Sequence, residues 1–219
     1  MPETIALFSD PCQACTGQEW IGNHAVVLRG FALSEETKIL NAIDQVTRHS
    51  PYRHMTTPGG YTMSVAMSNC GEYGWVSDKS GYRYDHIDPL SGKPWPAMPD
   101  VFQSLAEQAA GAAGFHEFNA DVCLINQYKP GAKLSLHQDK DEQSFNSPIV
   151  SVSLGLSALF LFGGLKRKDK PNRIPLHHGD VVVWGGEDRL RYHGILPLKE
   201  AQHLLLGNKR INLTFRKAV

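Results

Sequence analysis

"IVSVSLGLSALFLFGG", residues Ile149–Gly164, is the stretch whose reading decides the fold. Its first half alternates: Val150, Val152, Leu154 and Leu156 fall to one side, Ser151 and Ser153 to the other. A period of two belongs to a strand, because successive Cβ atoms leave a pleated backbone on opposite faces. The second half, "ALFLFGG", is a short apolar strand closed by glycine. The pattern recurs on either side. "VCLINQY" puts Val122, Leu124, Asn126 and Tyr128 on one face, "GDVVVWGG" is a short apolar run between glycine turns, and "RINLTFR" alternates again. Many short strands after a more helical beginning predict a mainly β, α+β fold. Its core is expected to be a double-stranded β-helix, or jelly-roll, over about residues 120–219, with helices packed outside.

Two helices are expected ahead of that core. Ser34 is placed to cap the first, with Glu35 and Glu36 in its first turn; Ile39, Leu40, Ile43 and Val46 make its apolar face, and Pro51 closes it. The second begins near Pro99 and Asp100, turns Val101, Phe102, Leu105, Ala109 and Ala112 to the core, and ends at Gly114. Between them lies "TPGGYTMSVAMSNCGEYGWVSDKSGYRY", Thr57–Tyr84, rich in the glycine, serine and aromatic residues of hairpins and surface loops. About residues 52–90 are therefore expected to form a binding lid, although Met63, Val65 and Met67 also suit an inward face. No repeat or low-complexity linker interrupts the chain, which reads as a single domain, 1–219, behind a variable N-terminal segment of about 24 residues.

The composition is that of a globular protein, 42% hydrophobic and 20% charged, and 22 basic against 22 acidic side chains leave no net charge. That excludes a histone-like or tail-driven nucleic-acid binder while leaving room for a local basic groove. Four cysteines are too few for a disulfide scaffold, and the C-x-x-C pair Cys12 and Cys15 has no second pair at zinc-finger spacing, only Cys70 and Cys123. It reads as incidental. The absence of a signal-peptide pattern or a membrane-length apolar stretch leads us to expect a cytoplasmic protein with no membrane association.

"KLSLHQDKDE", Lys133–Glu142, starts as a strand and then gathers a histidine and three carboxylates. Burying such a cluster is costly without a compensating cation. Strand alternation puts Ser135, His137 and Asp139 on one side, so an imidazole and a carboxylate reach toward one metal ion. A further histidine would complete the two-histidine, one-carboxylate set that leaves positions open on Fe(II). His177, His178, His193 and His203 are the candidates, and spacing favours His193, since a jelly-roll brings a strand about 50 residues later beside the first. The D-x-D of Asp139 and Asp141 fails as a calcium loop because Gln143 and Ser144 occupy the next ligand and glycine positions. Glu142 is expected in solvent. A zinc hydrolase is possible on ligand type alone. In "RINLTFR", however, Arg210, Asn212, Thr214 and Arg216 share a face, and its arginines, about 20 Å apart, are suited to holding a small dicarboxylate. A zinc hydrolase has no use for one.

With the stretches "TPGGYTMSVAM", "DPLSGKPWPAMP", "PGAKLSLHQDKDE", "FGGLKR", "HGDVVVWGGE" and "NLTFR", these residues resemble the AlkB family of Fe(II)/2-oxoglutarate-dependent nucleic-acid dealkylases from about Ala25 to Arg216. The resemblance implies that His137, Asp139 and His193 bind Fe(II), and that Arg210, helped by Tyr128 and Asn126, pairs with the distal carboxylate of 2-oxoglutarate. Asn212 and Arg216 would lie nearer the iron. Trp75 and His137 would stack on an extruded base, Asp141 would meet its exocyclic amine with Arg167 nearby, and Thr57, Met67, Tyr82, Tyr84 and Lys133 would line the base pocket or hold the nucleotide. The N-terminal stretch with Cys12 and Cys15, "QSFNSP" and "KDKPNRIPLHH" depart from the pattern.

The implied reaction consumes O2 and 2-oxoglutarate, releases succinate and formaldehyde, and restores bases of the 1-methyladenine and 3-methylcytosine type. The implied partner is alkylated DNA, in single strands, or RNA, with no obligate protein partner. Phosphate contacts would come locally from Lys129, Lys133, Lys140 and the Lys166–Lys170 loop, which equally suits a solvated turn. A hydroxylase or demethylase of a protein or metabolite is the alternative, and the aromatic lid argues against it. A jelly-roll binding module without catalysis is the third reading, opposed by the complete ligand set and both arginines.

Overall fold

The computed structural model describes residues 17–219, so Cys12 and Cys15 lie outside the described residues. The strands are β1 (Gly17–Trp20), β2 (Ala25–Arg29), β3 (Arg53–Thr56), β4 (Thr62–Gly71), β5 (Gly74–Asp78), β6 (Gly81–Asp85) and β7 (Val122–Tyr128). They continue as β8 (Leu134–His137), β9 (Ile149–Gly155), β10 (Ala158–Phe162), β11 (Asn172–Leu176), β12 (Val181–Trp184), β13 (His193–Ile195) and β14 (Arg210–Arg216). The helices are α1 (Glu36–His49) and α2 (Asp100–Ala112). The larger sheet runs β1-β2-β12-β9-β14-β7-β4-β3, the smaller β11-β10-β13-β8, and β5 with β6 forms a separate hairpin. This is the expected jelly-roll with flanking helices.

Alternation divides the large sheet between two apolar layers. Val150, Val152, Leu154, Val181, Val183, Leu213 and Phe215 pack with Ile39, Ile43 and Val46 of α1 and Phe102, Leu105 and Ala109 of α2. On the other face Val27, Val65, Met67, Leu124, Val182 and Trp184 join Phe160, Phe162, Ile174 and Ile195 of the small sheet. Strand β14 is buried along its whole length, pairing β7 on one side and β9 on the other. Its polar residues Arg210, Asn212, Thr214 and Arg216 thus face the space between the sheets.

Several expectations are corrected in detail. Ser34 does not cap α1: Leu33–Glu35 tighten into a 3-10 turn, and the helix starts at Glu36 with no side-chain cap. Ala112 is exposed, while Ala106 and Ala110 complete the buried stripe of α2. Leu156 leaves the face of Val150, Val152 and Leu154 because β9 ends at Gly155, whose φ of +84° turns the chain over, and it joins the opposite layer. The span 52–90 is not a lid throughout. Residues Val65–Cys70 are buried, and β4 from Ala66 pairs with β7, so only the 57–61 loop and the β5–β6 hairpin stand free at the edge.

Candidate active site

Strand pairing brings the predicted ligands together. His193 sits directly opposite His137 across β13 and β8, which confirms the spacing argument made for it. A bulge follows, with Ile195 opposite Leu134, so β8 carries one residue more than β13. Gly194 fits into this crossing: a Cβ there would stand 2.6 Å from the Leu134 carbonyl oxygen and 3.2 Å from the Leu136 nitrogen. Asp139, two residues past the end of β8, turns back so that Oδ1 is 3.5 Å from His137 Nε2 and Oδ2 is 3.6 Å from His193 Nε2. The ligand atoms of the three residues lie within 4.8 Å of one another.

The donor set fits a divalent iron. His137 Nδ1 is 2.9 Å from the Ser135 carbonyl and His193 Nδ1 is 3.0 Å from the Arg191 carbonyl. A carbonyl only accepts, so each Nδ1 carries the proton and each Nε2 is the atom available to a metal ion. Two imidazoles and a carboxylate converging in a partly buried site suit a cation. The titration directions of Asp139 and His193 agree with this, and that of His137 runs the other way. Burial opposes an ionised Asp139, but the Arg216 charge and the two histidines hold its carboxyl well below the usual range. Burial and then the neighbouring His137 push His193 down, which favours a neutral ligand. Burial also works against charging His137, yet the bond and charge of Asp139 outweigh it and raise the group.

One cavity of about 710 Å³ opens above these residues and runs between the sheets. At its inner end Arg210 is 1% exposed. Its Nη2 donates to Ser153 Oγ at 2.9 Å and its guanidinium stacks on Tyr128 at 4.9 Å, while Nε and Nη1 have no partner. A buried guanidinium with two unused donors lining a cavity suits a carboxylate, as the distal end of 2-oxoglutarate offers. Asn126 Oδ1 beside it is likewise unpartnered. Asn212, by contrast, is saturated: its amide donates to Ser151 Oγ at 2.8 Å and the Val152 carbonyl at 2.9 Å, and its oxygen accepts from Thr214. Arg216 is also engaged, with Nε at 3.0 Å and Nη2 at 2.6 Å from Asp139 Oδ2. The two arginines of β14 are therefore not equivalent: Arg210 has two unengaged donors, and Arg216 is paired with Asp139.

The outer end is aromatic. Trp75 stacks on Tyr82 with centroids 5.6 Å apart and 14° between planes, and its indole N–H donates to Asp141 Oδ2 at 3.0 Å. Asn69, fully buried on β4, fixes the Trp75 backbone by donating to its carbonyl and accepting from its N–H, both at 3.0 Å. Thr57, Met67, Tyr82, Lys133, Asp141 and Arg167 all line the cavity. Arg167 also donates to the Leu136 carbonyl at 2.8 Å. Lys129, Lys133, Lys140, Lys166, Lys168 and Lys170 are exposed.

Two expectations fail here. Tyr84 does not line the cavity; its hydroxyl donates to Glu142 Oε1 at 2.8 Å. Glu142 is not in solvent: its side chain is fully buried, facing Arg189 at 3.2 Å and Arg216 at 3.4 Å. Asn69, Ser151, Ser153, Glu142 and Arg189 were missed as site-supporting residues. For the serines the signal was visible, since the polar side of an otherwise apolar strand must face partners.

The 2OG-Fe(II) oxygenase superfamily model matches residues 24–216. Over 214 residues, 98% of both chains, the sequence is 59% identical to the alpha-ketoglutarate-dependent dioxygenase AlkB of Escherichia coli. It is 37% identical over 193 residues to the mouse nucleic acid dioxygenase ALKBH1, covering 88% of this chain and 44% of that one. The solved structure of OsALKBH1 superposes with a TM-score of 0.81 at 28% identity, covering 92% of this chain and all of the other.

Proposed function

The chain belongs to the AlkB family within the 2OG-Fe(II) oxygenase superfamily, and on that premise we propose that its cavity removes N-alkyl groups from nucleic-acid bases of the 1-methyladenine and 3-methylcytosine type. It is an Fe(II)- and 2-oxoglutarate-dependent dioxygenase, and its family acts on nucleic acid. No helix among the described residues is long and apolar enough to cross a membrane. The observation that carries the substrate reading is the outer end of the cavity, where Trp75 and Tyr82 offer a stacking surface and Asp141 a carboxylate beside it.

When bound, Fe(II) and 2-oxoglutarate supply the oxidation: dioxygen is consumed, succinate and carbon dioxide leave, and the hydroxylated alkyl group departs as formaldehyde. The remaining work is placement. His137, Asp139 and His193 would hold the metal, a donor set of two imidazoles and one carboxylate that would leave positions for other ligands. Arg210, with Tyr128 beneath its guanidinium and Asn126 alongside, would orient the co-substrate by its far carboxylate. Arg216 keeps Asp139 ionised and pointed at the metal position. An extruded base stacks against Trp75, which returns about 1–3 kcal/mol of the unstacking cost. A base methylated on its Watson–Crick edge is cationic at neutral pH, and Asp141 favours it over the neutral base. Thr57, Met67, Tyr82, Lys133 and Arg167 complete the pocket, and the exposed lysines give the phosphate contacts that a chain of zero net charge lacks globally. The lid comprises the 57–61 loop and the β5–β6 hairpin on a single catalytic domain. A single-stranded substrate is preferred because it spares the pairing energy.

The test is to load the protein anaerobically with Fe(II) and 2-oxoglutarate, then admit oxygen with a methylated oligonucleotide. Formaldehyde and succinate in equal amounts are expected, faster with single than with double strands and with DNA and RNA compared side by side. Succinate without formaldehyde would move the substrate to another class of molecule.

A further inference from the structure

The segment after β8 has no regular structure, yet its acidic residues are held from several elements at once. Glu142 is the centre of that arrangement. Its fully buried carboxylate accepts from Tyr84 of the hairpin at 2.8 Å, and it faces Arg189 Nη2 at 3.2 Å and Arg216 Nε at 3.4 Å. Both arginines also reach Asp139: Arg189 donates to its backbone carbonyl at 2.8 Å, and Arg216 grips its carboxylate. Two buried arginines thus bridge an iron ligand to a carboxylate that itself holds the lid.

The hairpin makes this connection through neighbours. Trp75 and Tyr84 are cross-strand partners, and they bond Asp141 and Glu142 respectively. In the proposed function Asp141 also meets the substrate, whereas Glu142 does not. The Tyr84–Glu142 bond is then the tether independent of the substrate. Glu142 takes no part in the iron or co-substrate contacts and does not line the cavity.

We propose that Glu142 is a positioning residue: through Arg216 and Arg189 it sets the orientation of Asp139, and through Tyr84 it makes that orientation depend on the seating of the β5–β6 hairpin. The proposal rests on the functional reading for the role of Asp141 but is tested without any nucleic acid. Full-length protein and the variants Glu142→Gln, Glu142→Asp and Tyr84→Phe are titrated with Co(II) in the presence of 2-oxoglutarate, following the visible spectrum. Hydrogen exchange of residues 74–85 is measured with and without the metal. Outer-shell partners of a metal site are worth tenfold or more in affinity, so Glu142→Gln is expected to weaken Co(II) by about tenfold. Glu142→Asp, which restores the charge, recovers part of that loss. Tyr84→Phe deletes one oxygen atom remote from the metal and is expected to cost about threefold, one hydrogen bond's worth. In it the hairpin no longer gains protection on metal binding.

A Tyr84→Phe protein with the parent's Co(II) affinity and spectrum, and a hairpin that still responds to metal, would overturn the coupling. So would equal loss in the Gln and Asp variants. If Glu142→Gln does not fold, Tyr84→Phe alone decides, because it leaves every charge in place. Failure of the substrate reading would appear separately, as absence of formaldehyde from the parent protein with normal metal and hairpin behaviour.

Discussion

At the floor of the cavity Arg210, Asn212 and Arg216 are 1%, 6% and 5% exposed, whereas at its rim Tyr82 is 47% and Tyr61 78% exposed. The floor side chains stand on β14, between two partner strands, and their positions are over-determined by Ser151, Ser153, Thr214 and Asp139. The rim side chains stand on a two-stranded hairpin and a short loop, held by Asn69, Asp141 and Glu142. The contrast follows from what each part must do. A ligand set and a carboxylate socket require fixed geometry, which a central strand supplies. A stacking surface that admits a base must be able to open.

That division predicts a ranking of effects. Asp139→Ala should be the most severe, since it removes an iron ligand and leaves buried Arg216 with only its longer contact to Glu142. Formaldehyde production should fall to background and denaturant titration should show a loss of about 3–5 kcal/mol. A variant of parental stability would mean that the floor is less rigid than its pairing suggests. Arg210→Met comes next. It should raise the KM for 2-oxoglutarate by about a hundredfold, in the range for losing one partner of a buried charged pair, with metal affinity little changed. An unchanged KM would place the co-substrate elsewhere.

Ligand binding should also discriminate between the two regions. Co(II) at a hundred times its Kd adds about 2.7 kcal/mol for a single site. For a chain of this size that raises the melting temperature by about 5–10 °C. Protection should grow most along β8, β13 and β14. A uniform gain over floor and rim would blur the comparison. Trp75→Ala should raise the KM for a methylated oligonucleotide by about tenfold, the loss of one base stack, while succinate formation without nucleic acid stays the same. The smallest change is expected for Asp141→Asn, which should lower the preference for a cationic over a neutral base by a few-fold without altering Co(II) affinity. Equal loss of both would move Asp141 from the rim to the floor.

How much of this was legible in the sequence follows the same boundary. Alternation in "IVSVSLGL" and "RINLTFR" assigned the faces of β9 and β14 correctly, and the spacing from His137 to His193 led to a pair that the sheet places opposite each other. Inside a paired strand, side-chain direction is set by the pleat. Beyond its end that rule has no force. Strand β8 stops at His137, so the inward turn of Glu142 is set by Arg189, Arg216 and Tyr84, residues 47, 74 and 58 positions away in the chain. Leu156 changed layer for the same reason, one residue past Gly155. The role of β4 was obscured differently. Its serines and methionines look like a surface hairpin, yet Ser68 and Asn69 are buried because their side chains bond the backbone of Ser50 and Trp75.

Gly194 carries no functional group, and a search for chemistry among side chains passes over it. Yet the closeness of β13 to β8 at this point means that any larger residue would have to push the two strands apart, and with them His193 from His137. For anyone randomising this protein toward new substrates, the hairpin offers positions to vary, while this glycine is one to hold constant. The metal centre owes its dimensions to an omitted methyl group as much as to the atoms that would grip the ion.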